Sequence, residues 1–586
     1  MAISFQIKSV GVTGQRTDFA RTVLRVGVCT GGVSGTVYEL DPGQDPQATL
    51  GYGPLAVADM RASRYVQNAQ RYALKVAGST AGSISAVTQS GSGPLLTVAG
   101  MALDGLSTTP YLAMSVKAKV RTAGALGTAQ LDVALDGASY DYTFDVPAAT
   151  PATVIGTVDT SAFTWGAGGT LDGLTVIIGA ATCTFNDPAD SAAMLSQLEL
   201  AISGYGFDLV QGKYLRVRKD TLGAASTFTI DSASTADTVL GLSTAAATGS
   251  ASTITIAAAG LVITCPTGTY VLDEVYSFTT TAPRCSLSAI TTALTAAGLD
   301  TSLDFGLIAI MQTPLDEIDA RAYADALDAL CAAWEAAEDK RFVMWLLGSP
   351  LDTADADLKL AMLSHVSRHG AMAHKDCYIP SVVPQAQGLL RASAVEALAN
   401  RCAAQDSFSE DPGYGGFGSL DCSLKSADLA TTVRLESTAS IKMGKSTGPG
   451  FTTITSKSGL PYFTRGVTRA GQTSRFVDIG VARATKAMAA VLWVALRRIE
   501  NPTFDLNSDG TIQEADAVSL EEAFITELTE KFIQPKHFSR IVVQVNRAEV
   551  ISTTRNVTIN WTAQIRGQGE NITGVLSVAG VIAATN

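Results

Sequence analysis

The spacing of apolar residues changes several times along the chain, and each change predicts a different kind of element. Ile3, Phe5 and Ile7 alternate with Ser4, Gln6 and Lys8, the period of two expected of a half-exposed strand. VLRVGVCTGG, residues 23–32, predicts a buried strand entering a glycine loop. From about residue 78 to 280 charges thin out and Thr, Ala, Ser and Gly dominate. Short stretches such as GLTVIIG, YLRVRKD, STFTIDS and STITIAA, separated by small-residue turns, predict a β-rich insert. One helix is expected within it, over DPADSAAMLSQLELAISG.

From about 300 to 405 the period lengthens. DFGLIAIMQ, RFVMWLLGSP and CYIPSVVP read as buried strands, and helical segments follow each of them. The first helix is expected to open with Thr313 as cap, Pro314 in its first position and Asp316 closing a capping box. Its buried side is expected to carry Leu315, Ile318, Ala322, Leu330 and Trp334. The second, ADADLKLAMLSHVSRHG, stops at Gly370, and the third is ASAVEALANRCAAQ. Strand and helix alternating three times predict a parallel sheet with covering helices. Past residue 450 come an apolar helix at 482–499, an acidic loop and a helix over Ser519–Phe532. Four strand-like stretches close the chain: SRIVVQVNR, AEVISTTR, NVTINWTAQIRG and ITGVLSVAGV. The fold class is therefore a mixed α+β and α/β multidomain chain, divided near 1–77, 78–280, 281–500, 501–518 and 519–586.

Composition narrows the function. The chain has 586 residues, 46% hydrophobic and only 16% charged, so it buries substantial cores. Its net charge of -12, with no run of Lys or Arg, argues against nucleic acid or an anionic membrane as a partner, since both need a concentrated positive field. Residues 1–19 have no apolar centre and do not read as a signal peptide. The longest apolar run, Ala487–Leu496, is too short to cross a bilayer and is followed by Arg497 and Arg498. Eight cysteines without a C-x-x-C pair point to buried free thiols.

The sharpest local motif is FDLNSDGTIQEAD, residues 504–516. Asp505, Asn507, Asp509, Thr511 and Asp516 occupy positions one, three, five, seven and twelve of a calcium loop, with Gly510 at the bend and Ile512 pinning the loop to a core. Position twelve is Asp rather than a bidentate Glu, and the loop stands alone. It reads as a structural Ca2+ clip, or else as an acidic turn capping the next helix. Gly444, Lys445 and Ser446 match a relaxed phosphate loop, but GPGFTTIT follows where a helix is required. GYGGFG at 413–418 fits G-x-G-x-x-G without a preceding buried strand. His365, His369 and His374 cluster near Cys377, but without the glutamate a metalloprotease needs, and helix-end and turn histidines are the simpler reading. No catalytic constellation emerges, so the chain reads as a non-enzyme with no cofactor beyond that cation.

Several segments taken in order resemble contractile tail sheath proteins, the polymer around the tube of bacteriophage (myovirus) tails. They are VLRVGVCTGGVSGTVYEL with TLGYGPLAVADMRAS, then YALKVAGSTAGS, SGLPYFTRGVTRAG, FVDIGVARATKAMAAVLWVALRRI and NVTINWTAQIRGQGENITGVLSVAG. The resemblance covers both ends and the α/β middle but not the insert, and the calcium-type loop is no hallmark of it. It implies a virion structural subunit, assembled in the host cytoplasm, that stacks as hexameric rings around a tail tube and contracts to drive the tube through the host envelope. The implied partners are further copies of itself, the tube protein, and baseplate and tail terminator proteins, with no nucleic acid and no membrane insertion. It also implies terminal arms that complete sheets on neighbouring copies. The strands carrying Ile3, Phe5 and Ile7, and Val557, Ile559, Val575, Leu576 and Val578, fit that role, because an unpaired strand is a liability until another chain pairs it. A secreted, calcium-clipped adhesin or surface-layer protein would need a secretion signal. A baseplate or capsid protein is the other alternative.

Overall fold

Runs that are apolar on both faces end up in a sheet covered on both faces. The computed structural model describes residues 21–579, apart from 405–449 and scattered segments of at most eight residues. Ile3, Phe5 and Ile7, and the glycine motifs at 413–418 and 439–447, lie outside the described residues. The N-terminal region supplies β1 (Val23–Gly27), β2 (Val37–Leu40), helix α1 (Pro54–Tyr65) and β3 (Arg71–Lys75). After the insert follow α2 (Leu287–Leu299), β4 (Leu307–Ile310), α3 (Glu317–Ala336), β5 (Met344–Gly348), α4 (Asp355–Met362), β6 (Gly370–Ala373) and α5 (Ala394–Ala404).

These strands form one six-stranded sheet in the order β2-β3-β1-β4-β5-β6, parallel except for β2. The parallel sheet expected from residues 300–405 thus takes half of its strands from the N-terminal region. Three expectations need correction. CYIPSVVP does not join this sheet, because Asp376–Pro380 pairs antiparallel with Leu389–Ser393. The third strand after the insert is β6, and Gly370 begins it rather than ending a helix. A Cβ on Gly370 would fall 1.8 Å from Cε2 of Trp345, so only glycine lets the indole lie against the backbone there. Helix α3 starts three residues later than the Pro314 signal suggests. Asp316 is its cap, accepting from the Asp319 amide at 2.8 Å, while Asp319 accepts from the Leu315 amide at 2.8 Å. With that start Leu315 and Ile318 are exposed, and Ala320, Tyr323, Ala324, Leu327, Cys331 and Trp334 form the buried side.

Charges in the sheet are neutralised internally. Arg25 on β1 and Arg71 on β3 flank Asp59 of α1 at 3.7 and 3.2 Å, all three fully buried. Arg25 also donates to Asn400 of α5 at 2.9 Å, and Arg61 donates to both carboxylate oxygens of Glu396 at 3.0 and 2.8 Å. A buried charge persists only when it is paired and hydrogen-bonded, so this network ties α1 to α5 on one face of the sheet.

The insert is two nested β units. The outer one leaves and re-enters the body through a two-stranded neck: the Ser79 and Thr80 amides donate to the Arg284 carbonyl at 2.8 and 3.1 Å, and the Arg284 amide returns to Thr80 at 2.9 Å. It holds a four-stranded and a five-stranded sheet. The inner unit hangs from a second neck, where the Thr150 amide donates to the Ser250 carbonyl at 3.1 Å. It has its own core, packed around Phe185, Met194, Leu198 and Val217.

The C-terminal unit comprises α6 (Ile479–Arg498), α7 (Glu514–Leu528) and the antiparallel sheet β7 (Phe538–Val545), β8 (Asn556–Ile565) and β9 (Asn571–Ala579). AEVISTTR is not a strand: Ile551–Thr554 forms a single helical turn with Ile551 buried. Among the described residues no helix is long and apolar enough to cross a membrane.

Candidate assembly surfaces and the acidic loop

Alternation along β8 decides what the terminal strands do. Val557, Ile559, Trp561 and Ala563 share one face, which packs on Phe524 and Leu528 of α7 and Val491 and Leu492 of α6. Val557 and Ile559 are 0% exposed, so these two residues, expected in an inter-subunit arm, fill the chain's own core instead. The sheet closes in cis because the preceding helices already offer a complementary apolar face. In register, Val557 stands opposite Val578, Ile559 opposite Leu576 and Asn560 opposite Val575. Among the described residues the sheet keeps two open edges, β7 and β9, each paired on one side only.

The acidic loop is built by its own hydrogen bonds. Gly510 takes a φ of +81°, as the bend requires, and Ile512 is buried. Leu506 bridges Ile512 across the loop, and Thr511 bridges Val550 in the turn after β7, so the loop is stitched to the C-terminal sheet. Asp509 accepts from the Thr511 amide at 3.0 Å and its hydroxyl at 2.7 Å, which holds its carboxyl below the usual range. Asp516, in the first turn of α7, accepts from the Asp505 amide at 2.6 Å. Asn507 turns its amide nitrogen towards Thr511 and Ile512, at 3.0 Å from each. The residues named for a Ca2+ site are therefore on one loop, but three carboxylates do not converge. Among the described residues, no group of three or more His, Cys, Asp or Glu is placed to hold a metal ion. The helix begins at Glu514 rather than Ser519, directly from the loop. Arg547 fastens it there, donating to Glu514 at 2.6 Å and Glu521 at 2.7 Å, and the two carboxylates push its pKa up.

The histidines sit elsewhere than on a helix. Helix α4 ends at Met362, and His365 and His369 lie on the segment entering β6. Each faces carboxylates of α3: His365 Nε2 lies 3.2 Å from Asp328, and His369 Nδ1 lies 3.4 Å from Glu335. Burial pushes the Asp328 carboxyl up, but contacts with His365, Ser367 and the Trp345 indole outweigh it and hold it low. Burial likewise works against Glu335, yet His369 and the Lys486 ammonium bring it down to about 2. Arg368 completes the group, 3.1 Å from Glu335. Sequence reasoning weighed the histidines and missed Glu335 and Lys486. The available signal was Lys486 itself, a cation within the apolar face of α6. Cys29, Cys183, Cys265, Cys285 and Cys331 are buried thiols outside any disulfide, with burial pushing Cys29, Cys285 and Cys331 up to about 12.

No family profile matches the chain, and no curated protein does. Among solved structures it is similar to a sheath tail protein from Desulfitobacterium hafniense, with 11% identity, 99% of this chain and 100% of the other covered, and a TM-score of 0.43. A sheath tail protein from Listeria innocua shares 9% identity over 95% of this chain and 94% of its own, with a TM-score of 0.40. A chain of the PVC sheath complex of an extracellular contractile injection system, in its contracted state, shares 11% identity over 53% and 73%, with a TM-score of 0.31.

Proposed function

We propose that this chain is the subunit of a contractile tail sheath. It polymerises as stacked hexameric rings around a tail tube and shortens to drive the tube through a host envelope. What supports the reading is where the sheath-like segments fall. Residues 23–40, 49–63 and 72–83 lie on β1, β2, α1 and β3, one half of the parallel sheet. Residues 476–499 carry α6, and 556–580 carry β8 and β9. The resemblance thus follows the body and the C-terminal unit, while most of the nested insert lies outside it, its outer unit sharing a core with the body and its inner unit having a core of its own.

In this account the rings are linked by strand addition at the β9 edge, where backbone hydrogen bonds persist while the bodies rotate and repack. The insert faces away from the tube. The energy comes from interfaces that bury more surface in the short state, and no nucleotide takes part. The tube, baseplate and tail terminator proteins are its partners in a phage tail or tail-like particle. The acidic loop acts as a clip, with the Asp505, Asp509 and Asp516 carboxylates and the Asn507 and Thr511 oxygens turning to a Ca2+ ion. Melting of the wild type and of an Asp505→Ala, Asp509→Ala variant, with calcium and with chelator, tests the clip. Equal melting in all four conditions removes it. Negative-stain microscopy and sedimentation of the purified protein test the main reading. Long hollow tubes are expected, and monomers under every condition tried would overturn it.

A further inference from the structure

We propose that the cleft between the end of α3, helix α6 and strand β8 is a subunit contact, and that it receives the outward face of α7 from a neighbouring copy. The inference deepens the polymer reading and rests on it. The cleft encloses about 460 Å³ and is walled by Phe342, Trp493 and Trp561. Lys340 and Arg368 stand at its rim: the Lys340 ammonium lies 5.2 Å from the centre of the Trp493 ring, and the Arg368 side chain is 58% exposed. Lys486 lies just behind, against Glu335. Among the described residues lining the cleft and lying behind it, the cations Lys340, Arg368 and Lys486 outnumber the one carboxylate, Glu335, in a chain whose net charge is -12. Tryptophans beside arginine, with an apolar floor, are the composition of the few positions that carry most of an interface's binding energy.

The occupant must therefore bring carboxylate and aliphatic groups together, and the chain displays such a surface. Helix α7 buries Ala517, Leu520, Phe524 and Leu528 in its own unit. One flank of the helix, beside that buried stripe, presents Val518 and Ile525, each 36% exposed, with the exposed carboxylate of Glu522 between them. These three residues follow the i, i+4, i+7 spacing of a helix that lays one face into a groove. No residue of α7 lines the cleft, so cleft and helix face are separate surfaces of one subunit. A contact between two different surfaces leaves each copy with one of each still free. It therefore propagates into a ring or helix instead of closing into a pair.

The test uses the full chain. Arg368→Cys and Glu522→Cys variants are prepared separately and mixed under mild oxidation, with wild type as the background control. A disulfide-linked dimer that forms in the mixture, and not in either variant alone, is expected. In parallel, Arg368→Glu and Glu522→Lys each slow assembly by about tenfold or more, since like charges then face each other, and combining both in one chain restores it. Circular dichroism and melting confirm that each variant is folded. If the mixture gives no cross-link, or both charge reversals assemble at the wild-type rate, the contact is wrong while tubes formed by the wild type keep the sheath reading intact. If cross-links form but no tubes ever do, the contact stands and the sheath reading falls.

Discussion

Replacing Ile559 by alanine separates a chain whose last strands belong to its own core from one whose last strands belong to a neighbour. Ile559 is 0% exposed and packs beneath α6 and α7. The substitution removes three carbon atoms, worth about 2.4 kcal/mol at about 0.8 kcal/mol per buried carbon. The cavity left between two helices and a sheet adds to this, for a total of about 3–4 kcal/mol. With a urea dependence of about 2 kcal/mol per molar for a unit this size, the midpoint of the C-terminal unit falls by about 1.5–2 M. Because the chain has hydrophobic cores outside this unit, the assay must report locally. Hydrogen exchange of the peptides spanning 538–565, measured on dilute monomer across a urea series, does so. Protection lost at lower urea in the monomer is the expected result. If the monomer is unaffected and only assembled material weakens, Ile559 serves a neighbouring chain and the cis sheet is wrong.

Other outcomes follow from the buried groups. Glu335 has a pKa of about 2 in the fold against about 4.3 unfolded, so its stabilisation is complete above about pH 4.3 and is lost as pH falls to about 2. Glu335→Gln should therefore cost on the order of 2 kcal/mol at neutral pH, with the difference from wild type shrinking across pH 4 to 2 in a melting series. Asp59→Asn leaves Arg25 and Arg71 without their buried partner and should cost about 3–5 kcal/mol by urea unfolding, far more than a surface change. Gly370→Ala forces Trp345 off the strand and should lower both soluble yield and melting temperature, whereas Gly206→Ala, where a Cβ meets only side-chain ends of Arg218 at 3.8 Å and Asp220 at 3.9 Å, should lower them much less.

Local signals carried much of this architecture. The runs over β1, β4 and β5 show as buried strands because both faces are apolar, and α5 and α6 show through helical spacing. What local pattern does not carry is the choice between faces and between partners. Leu315 and Ile318 have the spacing of a core stripe, yet the Asp316 cap starts α3 later and turns them outward. Gly370 ends a helix by the usual rule and here opens a strand, for a reason that lies on Trp345, 25 residues away in sequence (370 − 345). Val557 and Ile559 alternate as a strand whether the covering face is their own or a neighbour's, and only the positions of α6 and α7 decide. The Lys486–Glu335 pair spans 151 residues, so its partnership is invisible to any window along the chain.

A helical reconstruction of the assembled protein is the measurement closest to the central claim. The account predicts a hollow tube of sixfold rings, with the C-terminal units joined from copy to copy and residues 78–280 on the outer surface. Closed shells, flat sheets, or a tube with residues 78–280 lining its lumen would contradict it.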